Sequence, residues 1–429
     1  MTTSLLNEKS ELSQPKKQTL QGDLVIFIGN RRLAAFLGST GANAPKIKRH
    51  VTYKNPEGFE GGLVTDLERA ANSIERIIKD LAGGELGEDD EIAAYVVLAN
   101  SKLRTFTFSS SQYYQGNQRT ITQQEIRGVV DQTRSVATLP LTESVLQAVP
   151  QSFLVNDLAG VRNPLGLEAH RLGVELKIHT MHFEDFKNIS RAFETAEIEV
   201  TGFFPKTLTV SEGILQDQEK EEGALLFDFA EDSTQVVLWK DGHLLDSKTF
   251  PSGIRNLCER IATEWGIGLA DAMKVQLEYG SLVDGDFADE LIPLIERNGK
   301  GNHTIKRSDF QEKYTQYFKS WMSGLLDEAE VFGKEHKVFY PHSIFSGEMV
   351  QTDGFVEFMA QNFSRPARIG TPRKVDAVSE LLLDPAMIPA LGMFRWMSQQ
   401  LPDHKKFTAP KGFIQKTLAS AKDWFFAYF

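Results

Sequence analysis

Residues 145–180 read VLQAVPQSFLVNDLAGVRNPLGLEAHRLGVELKIHT. Two β-prone runs, Val145 to Asp157 and His170 to Met181, flank a polar stretch in which Pro164-Leu165-Gly166 has turn chemistry. Just upstream, TFTFSSSQYYQG is polar and β-prone, and Ile121 to Ala137 reads as a helix opened by Thr122 as its cap. Residues 104–179 are therefore expected to form a small α+β module set into a larger body.

Working outward, DLVIFIGNRRLAAFLGS gives two apolar runs around Gly29-Asn30-Arg31-Arg32, the pattern of a strand hairpin. The polar residues 40–60 read mostly as loop. Leu67, Ala70, Ala71, Ile74, Ile77, Ile78 and Leu81 then fall on one face of a helix. IAAYVVLA is a near-continuous apolar run, as in a strand covered on both faces. Beyond the module, FKNISRAFETA reads as helix, IEVTGFFP as strand and TLTVSEGILQ as helix. A second body starts at GALLFDFA, with two further hairpin runs through Phe250. Helices are expected over 254–280 and 306–332 around an acidic, polar middle, followed by a strand, a glycine turn and a helix over 337–363. The two halves echo each other, since each opens on a strand-turn-strand and later supplies helices.

Bulk chemistry narrows the function classes. The net charge of −11 over 429 residues argues against a nucleic-acid binder, which needs a basic surface to displace counterions from phosphates. The single cysteine, Cys258, leaves no internal disulfide framework or cysteine-built zinc cage and fits a reducing compartment. Residues 1–22 are polar and read as a disordered arm without the apolar stretch of a secretory signal. No run reaches the ~18–20 apolar residues of a spanning helix, so the body is expected to be cytoplasmic.

Pro150, Gln151, Gly160, Asn163, Pro164, Gly166 and Arg171, at their spacing, resemble the inserted 1C subdomain of FtsA, the actin-like bacterial cell-division family. EGGLVTDLERAANSIERI and MKVQLEYG are supporting matches, and the resemblance covers residues 24–401 and the extreme C-terminus. Each of these residues also has a plain structural reading as a turn former or an ion-pair partner. Structural residues identify a fold without establishing its chemistry. The resemblance implies a two-lobed α/β fold, actin-like and of the duplicated ribonuclease H-like kind, with an inserted α+β subdomain and a C-terminal amphipathic helix. Subdomain 1A would take residues 23–103, 180–204 and 388–401, and 1C residues 104–179. Subdomain 2A would take 205–253 and 338–387, and 2B residues 254–337.

In that family two strand hairpins grip nucleotide phosphates, resembling D-I-G-T-S-K at the first and D-I-G-G-G-T-T-D at the second. Glycine lets backbone N–H groups approach the phosphates, and the aspartates position hydrated magnesium. Here the first hairpin is Phe27-Ile28-Gly29-Asn30-Arg31-Arg32, with Phe27 at the aspartate position. Arg31 and Arg32 fit solvated turn charges, the favoured reading, or phosphate contacts. The second hairpin keeps Asp228, Ser233 and Thr234, but Ala230, Glu231 and Asp232 replace the glycines and Gln235 the last aspartate. Like charges about 4 Å apart repel by about 4 kcal/mol at an effective dielectric of about 20, so two new carboxylates would oppose a triphosphate. The adenosine-side turn keeps Gly347 but carries Glu348, with Gly354 and Arg368-Ile369-Gly370 still in family style. No cofactor is expected. ATP with magnesium is what the resemblance implies, and these three departures all count against it. Glu231 and Asp232 are instead expected to reach Arg31 or Arg32 across the cleft.

Residues 402–411 read as a flexible basic linker. In 412–429, Ile414, Leu418, Ala421, Phe425 and Phe429 form a helical stripe flanked by Phe413, Trp424, Phe426 and Tyr428, with lysines on the polar side. Such a helix lies in the membrane interface rather than crossing it; docking on its own protein is the alternative. The family resemblance implies a peripheral protein on the inner face of the cell membrane at the division site. It also implies filament formation by self-association, binding of the FtsZ C-terminal tail, and contact with other divisome proteins. Arg307, at the start of the helix SDFQEKYTQYFKSWM, matches an arginine of the FtsZ-binding subdomain, with a solvated helix-start charge as the other reading. Two further readings stay open: an active actin-fold ATPase, which lacks its aspartate and glycines here, and a PilM-like pilus-assembly scaffold.

Overall fold

The computed structural model describes residues 22–400, except 41–43, 85–92, 117, 284, 286–289, 296–300 and 363–365. The chain begins with the antiparallel strands β1 (Asp23–Ile28), β2 (Arg32–Ser39) and β3 (Lys46–Lys54). Helix α1 (Leu67–Ala82) opens where the Asp66 carboxylate accepts from the Arg69 amide, and it buries the expected apolar face. Strand β4 (Ala93–Leu98) returns parallel to β1.

The module read from the opening stretch comes next: β5 (Arg104–Tyr113), α2 (Gln123–Val136), β6 (Glu143–Val155), β7 (Leu158–Val161) and β8 (Arg171–His182). Its strands run in the order β7-β6-β8-β5. Ile126, Val129 and Val130 of α2 pack on Phe153, Val174, Leu176 and Ile178. Thr122 caps α2 in a reciprocal box with Glu125, as its position predicts.

Helix α3 (Phe183–Thr195) and β9 (Glu199–Pro205) complete the first body, and α4 (Lys206–Ile214) and α5 (Asp217–Glu222) lead out of it. The second body holds β10 (Ala224–Phe229), β11 (Thr234–Lys240), β12 (His243–Phe250), α6 (Ile254–Trp265) and α7 (Leu269–Tyr279). Then come the hairpin β13 (Leu291–Ile295) and β14 (Asn302–Lys306), α8 (Arg307–Glu335), β15 (His342–Gly347), α9 (Phe355–Asn362) and β16 (Ala367–Ile369). The short α10 (Ser379–Leu383) precedes α11 (Ile388–Gln400), which crosses back to the first body.

Among the described residues, two five-stranded sheets share one plan, β9-β4-β1-β2-β3 and β12-β11-β10-β15-β16. Strand β1 is buried on both faces. Leu24, Ile26 and Ile28 meet α1 and α3, while Val25 and Phe27 meet the side of α4 and α11. The second sheet lies on the opposite side of the same helix pair, with Val210, Ile214 and Ile388 packed on Leu226, Val237 and Ile344. Its outer face carries α6, α8 and α9. The molecule is thus layered as helices, sheet, central helix pair, sheet, helices, and the cleft opens where the sheet ends face each other.

Three expectations need correction. Residues 46–54, expected as loop, form strand β3, an edge strand with only Ile47 buried and charged residues on its outer side. The helix expected over 254–280 is two helices, since Gly266 ends α6 in a left-handed conformation. The acidic middle contains the β13–β14 hairpin, anchored by Ile292 and Leu294. The expected arm, apart from Gly22, together with the linker 402–411 and the helix 412–429 with Phe413, Ile414, Leu418, Trp424, Phe425 and Phe429, lies outside the described residues. Among the described residues no helix is long and apolar enough to cross a membrane.

Candidate functional site

A cleft of about 300 Å³ opens between the two bodies, and its walls include Phe27, Gly29, Asn30, Arg31, Asp228, Glu231, Gly347 and Glu348. Of the cleft residues named from the sequence, Phe27, Gly29, Asn30, Arg31, Asp228, Gly347 and Glu348 line this space, and Ser233 and Thr234 do not. Phe27 is 5% exposed and sits in the apolar layer with α11. The turn after it closes with the Gly29 amide donating to the Arg32 carbonyl at 2.8 Å, which aims the Arg31 and Arg32 side chains across the cleft.

Both arginines find carboxylates there. Arg31 grips Glu231 with two donors, Nε to Oε2 at 2.5 Å and Nη2 to Oε1 at 2.7 Å. Arg32 donates from Nη2 to Glu348 at 2.9 Å and from Nη1 to Asp384 at 2.9 Å. The expected reach of Glu231 to Arg31 is present. Asp232, expected to do the same, instead takes Nε of Arg255, whose Nη2 also donates to Glu231 at 2.7 Å. The Asp232 carboxylate raises the affinity of the Arg255 guanidinium for its proton. These charge-assisted contacts form a chain from the first hairpin through Glu231 to α6.

The second hairpin turns without a positive φ at Ala230, Glu231, Asp232 or Ser233, so it has no conformational need of glycine. Its carbonyls serve a helix instead: Ala230 and Glu231 accept from the Ile254 and Arg255 amides at 3.2 and 2.8 Å, at the start of α6. Ser233 and Thr234 are buried beside the turn rather than lining the cleft, and the Thr234 hydroxyl donates to the Ser252 carbonyl at 2.7 Å. On the far wall Gly347 has φ 92°, and a Cβ there would stand 2.0 Å from the Phe229 carbonyl oxygen. Only glycine allows β15 to pass β10 at that point.

Asp228 at the end of β10 is 6% exposed. Its Oδ2 lies 2.7 Å from Nζ of Lys206, the first residue of α4. Magnesium keeps several waters and binds through one or two carboxylates. Here one of the two positions is Phe27 and the other carboxylate is already held by an ammonium. Among the described residues no group of three His, Cys, Asp or Glu converges as metal ligands. The donors present do not fit a divalent ion.

Sequence reasoning missed Lys206, which lines the cleft, and Arg255 and Asp384, which hold the cleft residues Glu231 and Arg32 from outside it. None of the three carried a local signal: only the fold brings Lys206 to Asp228, Arg255 to Glu231 and Asp384 to Arg32. Arg307 lies outside the cleft. It donates to Glu290 at 2.5 Å and stacks over the Tyr279 ring at 5.7 Å.

Known proteins of similar sequence and shape are consistent with this layout. The family model described as the SHS2 domain inserted in FtsA matches residues 104–180, and the one described as cell division protein FtsA matches residues 227–392. The cell division protein FtsA of Neisseria meningitidis serogroup B is 22% identical over 379 residues, covering 86% of this chain and 88% of that protein. FtsA of Escherichia coli K12 is 23% identical over 406 residues, covering 92% and 95%. Among solved structures, the PilM-PilN type IV pilus biogenesis complex matches with a TM-score of 0.60 at 14% identity, covering 88% of this chain and 99% of that one. That likeness concerns the fold alone. With the two family models spanning more than half of the chain and whole-length relatives agreeing, the protein is a divergent, actin-like member of the FtsA family of cell-division proteins.

Proposed function

We propose that this protein is a cell-division scaffold that self-associates on the inner face of the cytoplasmic membrane and tethers FtsZ filaments to it, without hydrolysing ATP. The observation that carries the last part is the Arg31–Glu231 fork, which fills the gap between the two phosphate hairpins with the chain's own opposite charges. A triphosphate entering there would have to break that fork and lie against the Glu231 carboxylate. Phe27 supplies no carboxylate to orient an attacking water.

The tethering part rests on family membership and on the amphipathic pattern of residues 412–429. Arg307 at the head of α8 is the residue we assign to the FtsZ tail, where a tail carboxylate would compete with Glu290 for the guanidinium. A PilM-like role is the second reading, supported by fold alone, and the match of residues 104–180 to the FtsA insertion weighs against it.

Electron microscopy on an anionic lipid monolayer, with and without ATP, tests the proposal. We expect filaments on the lipid in both conditions, no phosphate release, and loss of lipid binding on Trp424→Glu. Filaments that require ATP, or steady phosphate release, would refute the non-hydrolysing reading. Binding to a pilus-protein tail in place of an FtsZ tail peptide would favour the PilM-like role.

A further inference from the structure

Lys206 stands where the first body hands the chain to the central helix α4, directly after Pro205. Its side chain is 11% exposed and that of Asp228 is 8% exposed. Removing two charges from water is costly, and a buried pair rarely returns more than it costs. A buried lysine aimed at this one carboxylate therefore suggests a role other than general stability.

The surroundings of Asp228 sharpen that role. Gln235 on β11 and Ser346 on β15 are its direct partners in register, so the three side chains stand in a row on one face of the sheet. Gln235 is 6% exposed and Ser346 is fully buried, yet the Gln235 Oε1 and the Ser346 Oγ have no hydrogen-bond partner. The row is a set of buried oxygen acceptors, with one ammonium delivered from α4.

We propose that Lys206 is the resident cation of the cleft: its ammonium compensates Asp228 in the place a divalent ion would take in a nucleotide-binding relative. The Asp228 carboxylate is thereby compensated without a metal ion. The inference rests on the non-hydrolysing reading above and goes further, because it names the group that stands in for the metal and makes metal response the readout.

The test uses the full-length protein, with Lys206→Met, Asp228→Asn and the double variant, in thermal unfolding with and without magnesium or manganese. The wild-type midpoint should not move with either ion. Each single substitution should lower the midpoint by several degrees, and the double variant should regain most of that loss, since the two changes remove one coupled pair. In Lys206→Met the freed carboxylate and its neighbouring oxygens should make the midpoint rise with manganese. If Lys206→Met cannot be purified folded, manganese electron paramagnetic resonance on wild type and Asp228→Asn decides: equal, weak binding by the two supports the proposal. Manganese binding by the wild type that Asp228→Asn abolishes would overturn it, as would a Lys206→Met protein of wild-type stability that ignores metal. Neither result depends on filaments or lipid, so the scaffold reading and this one can fail separately.

Discussion

Glu231 makes the turn between β10 and β11 a strut that links the first hairpin to α6. Its side chain is 12% exposed and receives both Arg31 and Arg255, whereas Arg31 is half exposed. Replacing Glu231 by Ala leaves Arg31 with only the Met273 sulfur at 3.4 Å within the cleft, while Arg255 keeps Asp232. We expect a loss on the order of 2 kcal/mol in urea unfolding, smaller at high salt because Arg31 is screened. In the inserted module, burial pushes the His179 imidazole down to about 4, with a further push from Lys177. A base whose folded value lies below its unfolded 6.5 binds fewer protons in the native state. Its contribution is therefore intact above pH 6.5 and is lost as pH falls towards 4, by up to about 3 kcal/mol. The stability difference between wild type and His179→Gln, measured at pH 7.5 and pH 5, should narrow at the lower pH. At this scale the sequence made Phe27, the missing glycines and Glu231 legible, because each departs from a known local pattern. It could not reveal Lys206 or Arg255, whose meaning lies in partners 22 and 24 residues away.

Helices α4 and α11 are the element that positions everything else. They cross at Gly392, where a Cβ would lie 1.8 Å from the Thr209 carbonyl oxygen and 3.0 Å from the Gly213 amide nitrogen. Backbone cannot yield as a flexible side chain does, so Gly392→Ala must push the helices apart. We expect a loss on the order of 3 kcal/mol, at the upper end for overpacking, read by urea unfolding. Long helices with a clean apolar stripe and fully buried strands were legible, as α1 and β1 show, because burial imposes a strong periodicity. Strand β3 was not, since its sequence KIKRHVTYK sends one residue into the core and leaves charges at the surface. Nor was the β13–β14 hairpin, whose outer face exposes Leu291 and Ile295 and blurs the alternation. The α4–α11 crossing was invisible for a different reason: a close approach is a property of two distant segments, and a glycine alone does not report it.

At the level of the whole molecule, two kinds of contact join the bodies, and their magnitudes differ. The first is ionic and polar. Besides the Arg31 and Arg32 pairs, the inserted module meets the second body where Arg162 pairs with Glu221 and donates to the Asp241 carbonyl at 2.7 Å. There the Leu244 amide also donates to Gln151 at 2.9 Å. Exposed pairs of this kind contribute about 0.2–1 kcal/mol each. The second kind is the shared helix pair, whose Leu208, Leu391 and Phe394 belong to one core and Val210, Ile214 and Ile388 to the other. Each such side chain contributes about 1.5–3 kcal/mol on burial, so the central helices outweigh the ionic contacts several-fold. The triple variant Arg31→Ala, Arg32→Ala, Arg162→Ala should therefore lose about 1–3 kcal/mol yet still unfold in one calorimetric transition. Gly392→Ala, which loosens the shared layer, is the change expected to split that transition in two. If the triple variant splits and Gly392→Ala does not, the ionic contacts rather than the helices make the two bodies one cooperative unit.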